Sequence, residues 1–356
     1  MKWEPPAAPS VRKEVRSLTT EEFEAYAKAM LRFHNETIED YVIPNWATLT
    51  AFHAEATLNE TYDALHYGPH FLLGHALLMK AFELGIQYYD STTAAHYWDW
   101  TTNATDIFTE DMYGNFDPRT GDVLDGYFFD LEVNRAEEAT KYTSWLSDDA
   151  TLLRGVDSAL LPTPKISRSV GMFPSVEPAT AEEVENCVYN TTTYKELWCC
   201  VFYTEEARDE CSSLSTADEG GLHGKVHSYS SGSLAILNPP LPPTFVPFDG
   251  SDLATSTNDP VFFAHHAQVD RIYQAWITTT TETNVATILD PCGGYDEDPP
   301  PGHGLHDPLY PLIDLVDEHY KINPKGGDGK PDTAFDVCRA FYFSKSAGYV
   351  YDTLNF

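Results

Sequence analysis

The stretch HFLLGHALLMKAFELGI, residues 70–86, is apolar nearly all the way round a helix. A helix without a polar face has to be wrapped by others, so this segment is expected at the centre of the fold and dictates a helical surround. The residues before it supply one. SLTTEEFEAYAKAMLRFH opens with Thr19 or Thr20 as a cap and acidic residues in the first turn, and it places Phe23, Tyr26, Met30 and Phe33 at helical spacing. NWATLTAFHAEATL repeats the apolar helical pattern. The first half of the chain therefore reads as helices.

The second half is different. From about Ser144 to Glu219 the chain is loop-rich and carries four of the six cysteines, and NPPLPPTFVPFDGSD and DPCGGYDEDPPPGHGLHDP are two more irregular stretches. Long ordered loops of this kind wrap a scaffold or line a site. Cys187, Cys199, Cys200, Cys211, Cys292 and Cys338 fit neither a zinc ribbon nor a CxxC redox motif, and their even number predicts two or three disulfides formed in an oxidising compartment. Sequons at Asn35, Asn59, Asn103 and Asn190 point the same way, to a secreted glycoprotein. No apolar run reaches the roughly 20 residues that span a bilayer, and the start, MKWEPPAAPS, lacks the apolar core of a signal peptide. A net charge of -33 repels nucleic acid and anionic membrane surfaces and excludes both as partners. No break in composition divides the 356 residues, so residues 1–356 read as a single domain.

The chemistry lies in the histidines. His53, His66 and His75 form one group, with His70 inside it; His223, His227, His265 and His266 form another, well over a hundred residues later. His223 and His227, in GLHGKVH, share one face of a helix at i, i+4, a common way to hold a metal. The glutamate of a zinc protease's HExxH is missing, because the residues between them are Gly, Lys and Val. Two groups that each supply three neutral imidazoles suit a pair of copper ions. In NDPVFFAHHAQVDR, residues 258–271, adjacent histidines point about 100° apart, so only one of His265 and His266 fits the second group. Phe262, Val269, Ile272, Tyr273 and Trp276 form the buried stripe of this helix, with His265 within it and His266 just beside it. Asp270, at i+4 from His266, is placed to orient that imidazole or its neighbours.

These segments, with HYGPHFLLGHALLMKAFE at 66–83 and YWDW at 97–100, resemble the type-3 dicopper superfamily of tyrosinases, catechol oxidases and hemocyanins, most nearly its short fungal-type enzymes. Tyr349-Val350-Tyr351 is similar to the tyrosine motif that closes the family's catalytic domain, and Arg12 to the arginine that packs against it. The resemblance implies a mainly α fold: an antiparallel four-helix bundle holding a dinuclear copper site, wrapped by long loops with little β structure and without a C-terminal shielding domain. It implies that His53, His66 and His75 hold the first copper and that His223, His227 and His266 hold the second. His266 is favoured over His265 because the hemocyanin pattern places its single histidine four residues before the equivalent aspartate. His265 becomes a wall of the site, and His70 lies behind it or faces substrate.

The resemblance further implies O2 and small phenols as partners, with o-diphenols oxidised to o-quinones; a hemocyanin-like oxygen carrier is the alternative. Gly224, Ser228, Leu253, Phe262 and His265 are expected along the access path. Gly224 stands where hydroxylating relatives often carry an asparagine, and Leu214 stands nine residues before His223, where a glutamate is expected; weak or slow monophenol hydroxylation follows. Gly74-His75-Ala76 replaces the usual Trp-His-Arg, and no cysteine lies near His66 to form the thioether of many relatives. His96 and Asp99, beside YWDW, are read as structural.

Overall fold

The computed structural model describes residues 3–38, 43–57, 63, 65–139, 152–154, 160–172, 176–202, 211, 221–236, 244–283, 292, 294–295, 299–309, 312, 333–341, 345 and 347–356. Asn59 and Leu214 lie outside the described residues.

Helix α1 (Thr20–Asn35) starts at Thr19, whose hydroxyl accepts from the Glu22 backbone while the Glu22 carboxylate accepts from the Thr19 backbone. This reciprocal cap contributes about 1 kcal/mol. Phe23, Tyr26, Met30 and Phe33 are buried, as their spacing predicts. Helices α2 (Trp46–Thr57) and α3 (His70–Tyr89) are buried over most of their surface, and α3 is the central element. Gly85 lets α1 close on α3: a Cβ there would lie 2.4 Å from the Phe33 ring. Helices α4 (Ala181–Asn190) and α5 (Tyr194–Val201) follow, then α6 (Gly221–Ser231), the long α7 (Val261–Thr283) and α8 (Ala334–Phe341).

Aromatic packing fixes how these helices meet. Phe82 of α3 stacks on Phe263 of α7 with centroids 3.7 Å apart, and the Trp46 ring of α2 packs edge-on against both. The Trp46 indole N–H donates to the Thr257 carbonyl at 2.7 Å, which ties α2 to the turn entering α7.

The expected mainly α architecture with little β structure is what forms. Its strands are short: β1 (Ser10–Arg12) runs parallel to β4 (Tyr349–Tyr351), with Arg12 opposite Tyr351, and β2 (Ser233–Ile236) is antiparallel to β3 (Thr244–Pro247). All six cysteines pair, as Cys187–Cys200, Cys199–Cys211 and Cys292–Cys338, the upper end of the expected number.

His96 is a structural histidine, as read from the sequence. Its Nδ1 accepts from the Lys13 backbone at 3.1 Å, and its ring meets Tyr26 edge-on. Burial pushes its pKa down from 6.5 to about 4. Below pH 6.5 the unfolded chain takes up a proton at this site that the folded chain refuses, so the folded state loses stability as pH falls from about 6.5 towards 4. His96→Gln is expected to shrink the loss of unfolding free energy between pH 7 and pH 5 by about 2 kcal/mol, read from urea unfolding at the two pH values.

Candidate metal centre

The fold gathers the first histidine group from three places. His53 sits on α2, His75 on α3, and His66 in the turn that leads into α3. Their ring centroids are 5.1–5.6 Å apart, and all three are buried. Each Nδ1 is held by an acceptor: His53 donates to the Ala254 carbonyl at 2.9 Å, His75 to the Phe71 carbonyl at 2.9 Å, and His66 to the Asp63 carboxylate at 2.9 Å. A proton fixed on Nδ1 leaves the lone pair on Nε2. The Nε2 atoms of His53 and His75 are buried without a hydrogen-bond partner.

The second group comes from α6 and α7. His223 and His227 lie on one face of α6, as their i, i+4 spacing predicts, and His227 Nδ1 donates to the Gly250 carbonyl at 2.8 Å. Three Nε2 atoms converge: His227 to His223 is 2.8 Å, His223 to His266 is 3.3 Å and His227 to His266 is 3.2 Å. His265 lies alongside, its ring stacked on His223 at 5.1 Å and edge-on to His227 at 4.8 Å. The chain thus brings both neighbours to the group, with His266 aimed at the point where the α6 pair meets.

The two groups adjoin. The rings of His75 and His266 stack with centroids 4.3 Å apart, and Phe71 and Phe262 each touch histidine rings of both groups. Burial lowers the pKa of His53, His75, His223, His227 and His266, reinforced by nearby imidazoles: His53 falls to about 3, His227 to about 4, and His75, His223 and His266 well below the ordinary value. At His53 and His75 the proton held on Nδ1 leaves a buried Nε2 lone pair with no donor to satisfy it. The imidazoles of each group are a nitrogen donor set, and two such sets side by side fit a pair of copper ions.

The comparisons with known proteins bear on that fit. The family model for the common central domain of tyrosinase matches residues 44–279, which contain all of these histidines. The chain belongs to the tyrosinase family. It is 26% identical over 276 residues to a tyrosinase of Streptomyces antibioticus, a match covering 75% of this chain and 82% of that protein. Its fold is similar to that of a tyrosinase from Burkholderia thailandensis (TM-score 0.56, 17% identity, 97% of this chain and 74% of that one). It is also similar to a functional unit of octopus hemocyanin (TM-score 0.54, 18% identity, 98% and 69%).

Within this tyrosinase-family chain, one residue departs from its expected place. Asp270 makes no hydrogen bond to His266 among the described residues; its Oδ2 accepts from the Arg12 guanidinium at 3.0 Å and from the Tyr351 hydroxyl at 2.6 Å. The buried guanidinium is the stronger partner for a buried carboxylate, so Asp270 faces the chain ends and not the imidazole. His70 Nε2 donates to the Gly304 carbonyl at 3.0 Å and its ring packs on His303, so it lies behind the first group. Of the expected access residues, Ser228 is exposed, Leu253 is partly buried beside the Ala254 that anchors His53, and Gly224 has open space where a Cβ would stand. Phe262 packs on His266 at 4.1 Å and on His53 at 5.4 Å, between the groups.

The sequence reading passed over Phe71, Phe202 and Asp63. Phe71, one turn before His75, carried a usable signal in its spacing. Phe202 stacks on Phe71 and reaches the rings of His66 and His223; coming from a cysteine-rich loop segment, it carried none.

Proposed function

We propose that His53, His66 and His75 hold one copper ion, that His223, His227 and His266 hold a second, and that the protein uses O2 to oxidise o-diphenols to o-quinones. The observation that carries this reading is the pair of adjoining imidazole triads, buried except for a partly exposed His227, three of the rings with Nδ1 tied to a backbone carbonyl and one to a carboxylate. Copper bound there would supply the redox chemistry: two diphenols together give up four electrons and four protons, which reduce one O2 to two waters. The protein's part is to keep the imidazoles neutral, fix their tautomers and exclude bulk water. Phe71 and Phe262 serve the last purpose by laying apolar rings against the imidazoles of both triads.

Diphenol oxidation is proposed to dominate over monophenol hydroxylation. A phenol with pKa near 10 is ionised to only about one part in a thousand at pH 7, a deficit of roughly 4 kcal/mol. Gly224 offers no side chain to hold a water that takes the proton. No heavy atom outside its own helix lies within 4 Å of a Cβ built there, so a side chain fits without repacking. Gly224→Asn is therefore expected to fold normally and to raise the ratio of monophenol to diphenol rate several-fold. Three disulfides and the exposed sequon residues Asn35, Asn103 and Asn190 support secretion as a glycoprotein.

The test is a paired assay on copper-reconstituted protein: O2 uptake, with initial rates on a catechol and on its monophenol. Rapid quinone formation from the catechol alone supports the reading. Equal turnover of both overturns the diphenol preference. Reversible O2 uptake with neither substrate oxidised makes the chain an oxygen carrier.

A further inference from the structure

We propose that Asp63 is the positioning residue of His66, fixing both its turn and its tautomer, and that His303 holds Asp63 in place from the far end of the chain. The inference rests on the copper reading above. His66 is the one proposed ligand of the first triad that does not sit on a helix, so no helical backbone sets its direction. Asp63 does this instead. Its Oδ1 accepts from the backbone N–H of Leu65 and of His66, both at 2.9 Å, and lies 3.2 Å from His66 Nδ1, while its Oδ2 is the nearer acceptor for that ring N–H at 2.9 Å. Among the described residues, His66 is the only one of the six whose Nδ1 donates to a carboxylate; His53, His75 and His227 use backbone carbonyls.

Asp63 is itself clamped. His303 Nε2 donates to the Asp63 carbonyl, and the Tyr295 hydroxyl donates to the His303 carbonyl at 3.1 Å. The His303 ring occupies the space that a side chain at Gly68 would need, since a Cβ there would lie 2.5 Å from His303 Nδ1. His70 closes the other side through Gly304, and the Cys292–Cys338 bridge ties down a nearby point of the same segment. A stretch some 240 residues away in sequence thereby stands directly behind the His66 turn.

A carboxylate can only accept, so it admits only the His66 tautomer with the proton on Nδ1, which leaves Nε2 for the metal. An amide in the same place separates the two functions. In Asp63→Asn the side-chain oxygen still accepts from the two backbone N–H groups and keeps the turn, but the NH2 group now faces His66 Nδ1 as a donor and selects the opposite tautomer.

The experiment loads wild type, Asp63→Asn and His303→Ala with Cu(II), challenges each with EDTA, and counts the copper retained; nitrogen NMR on the metal-free proteins reads the His66 tautomer. Asp63→Asn is expected to fold, to hold one copper like wild type and to lose the other with roughly 10- to 100-fold weaker affinity, with its His66 proton moved to Nε2. His303→Ala is expected to weaken the same copper to a smaller degree. Two coppers held by both variants as tightly as by wild type would overturn the proposal, and so would an unchanged His66 tautomer in Asp63→Asn. If Asp63→Asn does not fold, His303→Ala alone decides by the same count. Failure of wild type to bind two coppers would overturn the copper reading instead, and the NMR measurement still decides the role of Asp63.

Discussion

His266→Ala is expected to leave the protein with one copper per chain and with catechol oxidation down by more than the roughly 100-fold that loss of a ligand's supporting partner costs. His265→Ala is expected to keep both coppers. The two residues are adjacent, buried and close to the α6 pair, so burial does not separate them. Aim does. His266 Nε2 lies 3.2–3.3 Å from the Nε2 atoms of both His223 and His227, whereas His265 lays its ring flat on His223. His266 also stacks on His75 of the other triad, so its removal opens a gap between the two proposed copper positions. A metal count by atomic spectroscopy, with catechol rates on the same preparations, reads both effects. Retention of two coppers by His266→Ala, with loss of one in His265→Ala, would reverse the assignment.

Sequence patterns that depend on one element's own periodicity carried over to the structure. The all-round burial of α3, the Thr19 cap, the apolar stripe of α1 and the shared face of His223 and His227 are set within a few residues of chain, and each forms as read. What the sequence hid is pairing across the fold. Asp270 was assigned to its helical neighbour His266 because i+4 spacing is visible in sequence, whereas the Arg12 side chain that holds it lies 258 residues away. The Asp63-to-His66 contact spans three residues and was open to reading, but an aspartate in a turn ordinarily caps backbone, and nothing local marks its second oxygen as bound to the ring. His303 could not be assigned at all, since its role depends on a glycine at position 68 having left room for it.

Arg12→Met is expected to lower the unfolding free energy by about 3–5 kcal/mol, because it strips the partner from two buried carboxylates. At about 2.1 cal/mol/K of unfolding entropy per residue, a chain of 356 residues shifts by about 1.3 °C per kcal/mol, so the thermal midpoint falls by roughly 4–7 °C. The Arg12 guanidinium is fully buried; it donates to Glu83 at 2.8 Å, to Asp270 at 3.0 Å and to the Tyr351 hydroxyl at 3.1 Å, and it lies 3.5 Å over the Tyr349 ring. Glu83 is on α3 with His75, and Asp270 is on α7 with His266. One side chain from the N-terminal strand thus staples the helices that carry a histidine of each triad, so the variant should also release copper at a lower temperature than wild type. The pH dependence identifies the cause. Burial alone would raise the Glu83 pKa, yet Arg12 and Lys80 hold it down to about 2, so in wild type its contribution is present above about pH 4.5 and is lost as pH falls towards 2. Without Arg12, Lys80 is left to offset burial, so Glu83 binds a proton more readily than in wild type and acid costs the variant less. The gap between wild type and variant should therefore be widest near pH 7 and should narrow on acidification towards pH 4. Adding Glu83→Gln to Arg12→Met should recover part of the loss by removing one of the two buried carboxylates that lost the guanidinium. A gap independent of pH, with no recovery in the double variant, would mean that Arg12 acts through its packing on Tyr349 and not through its charge.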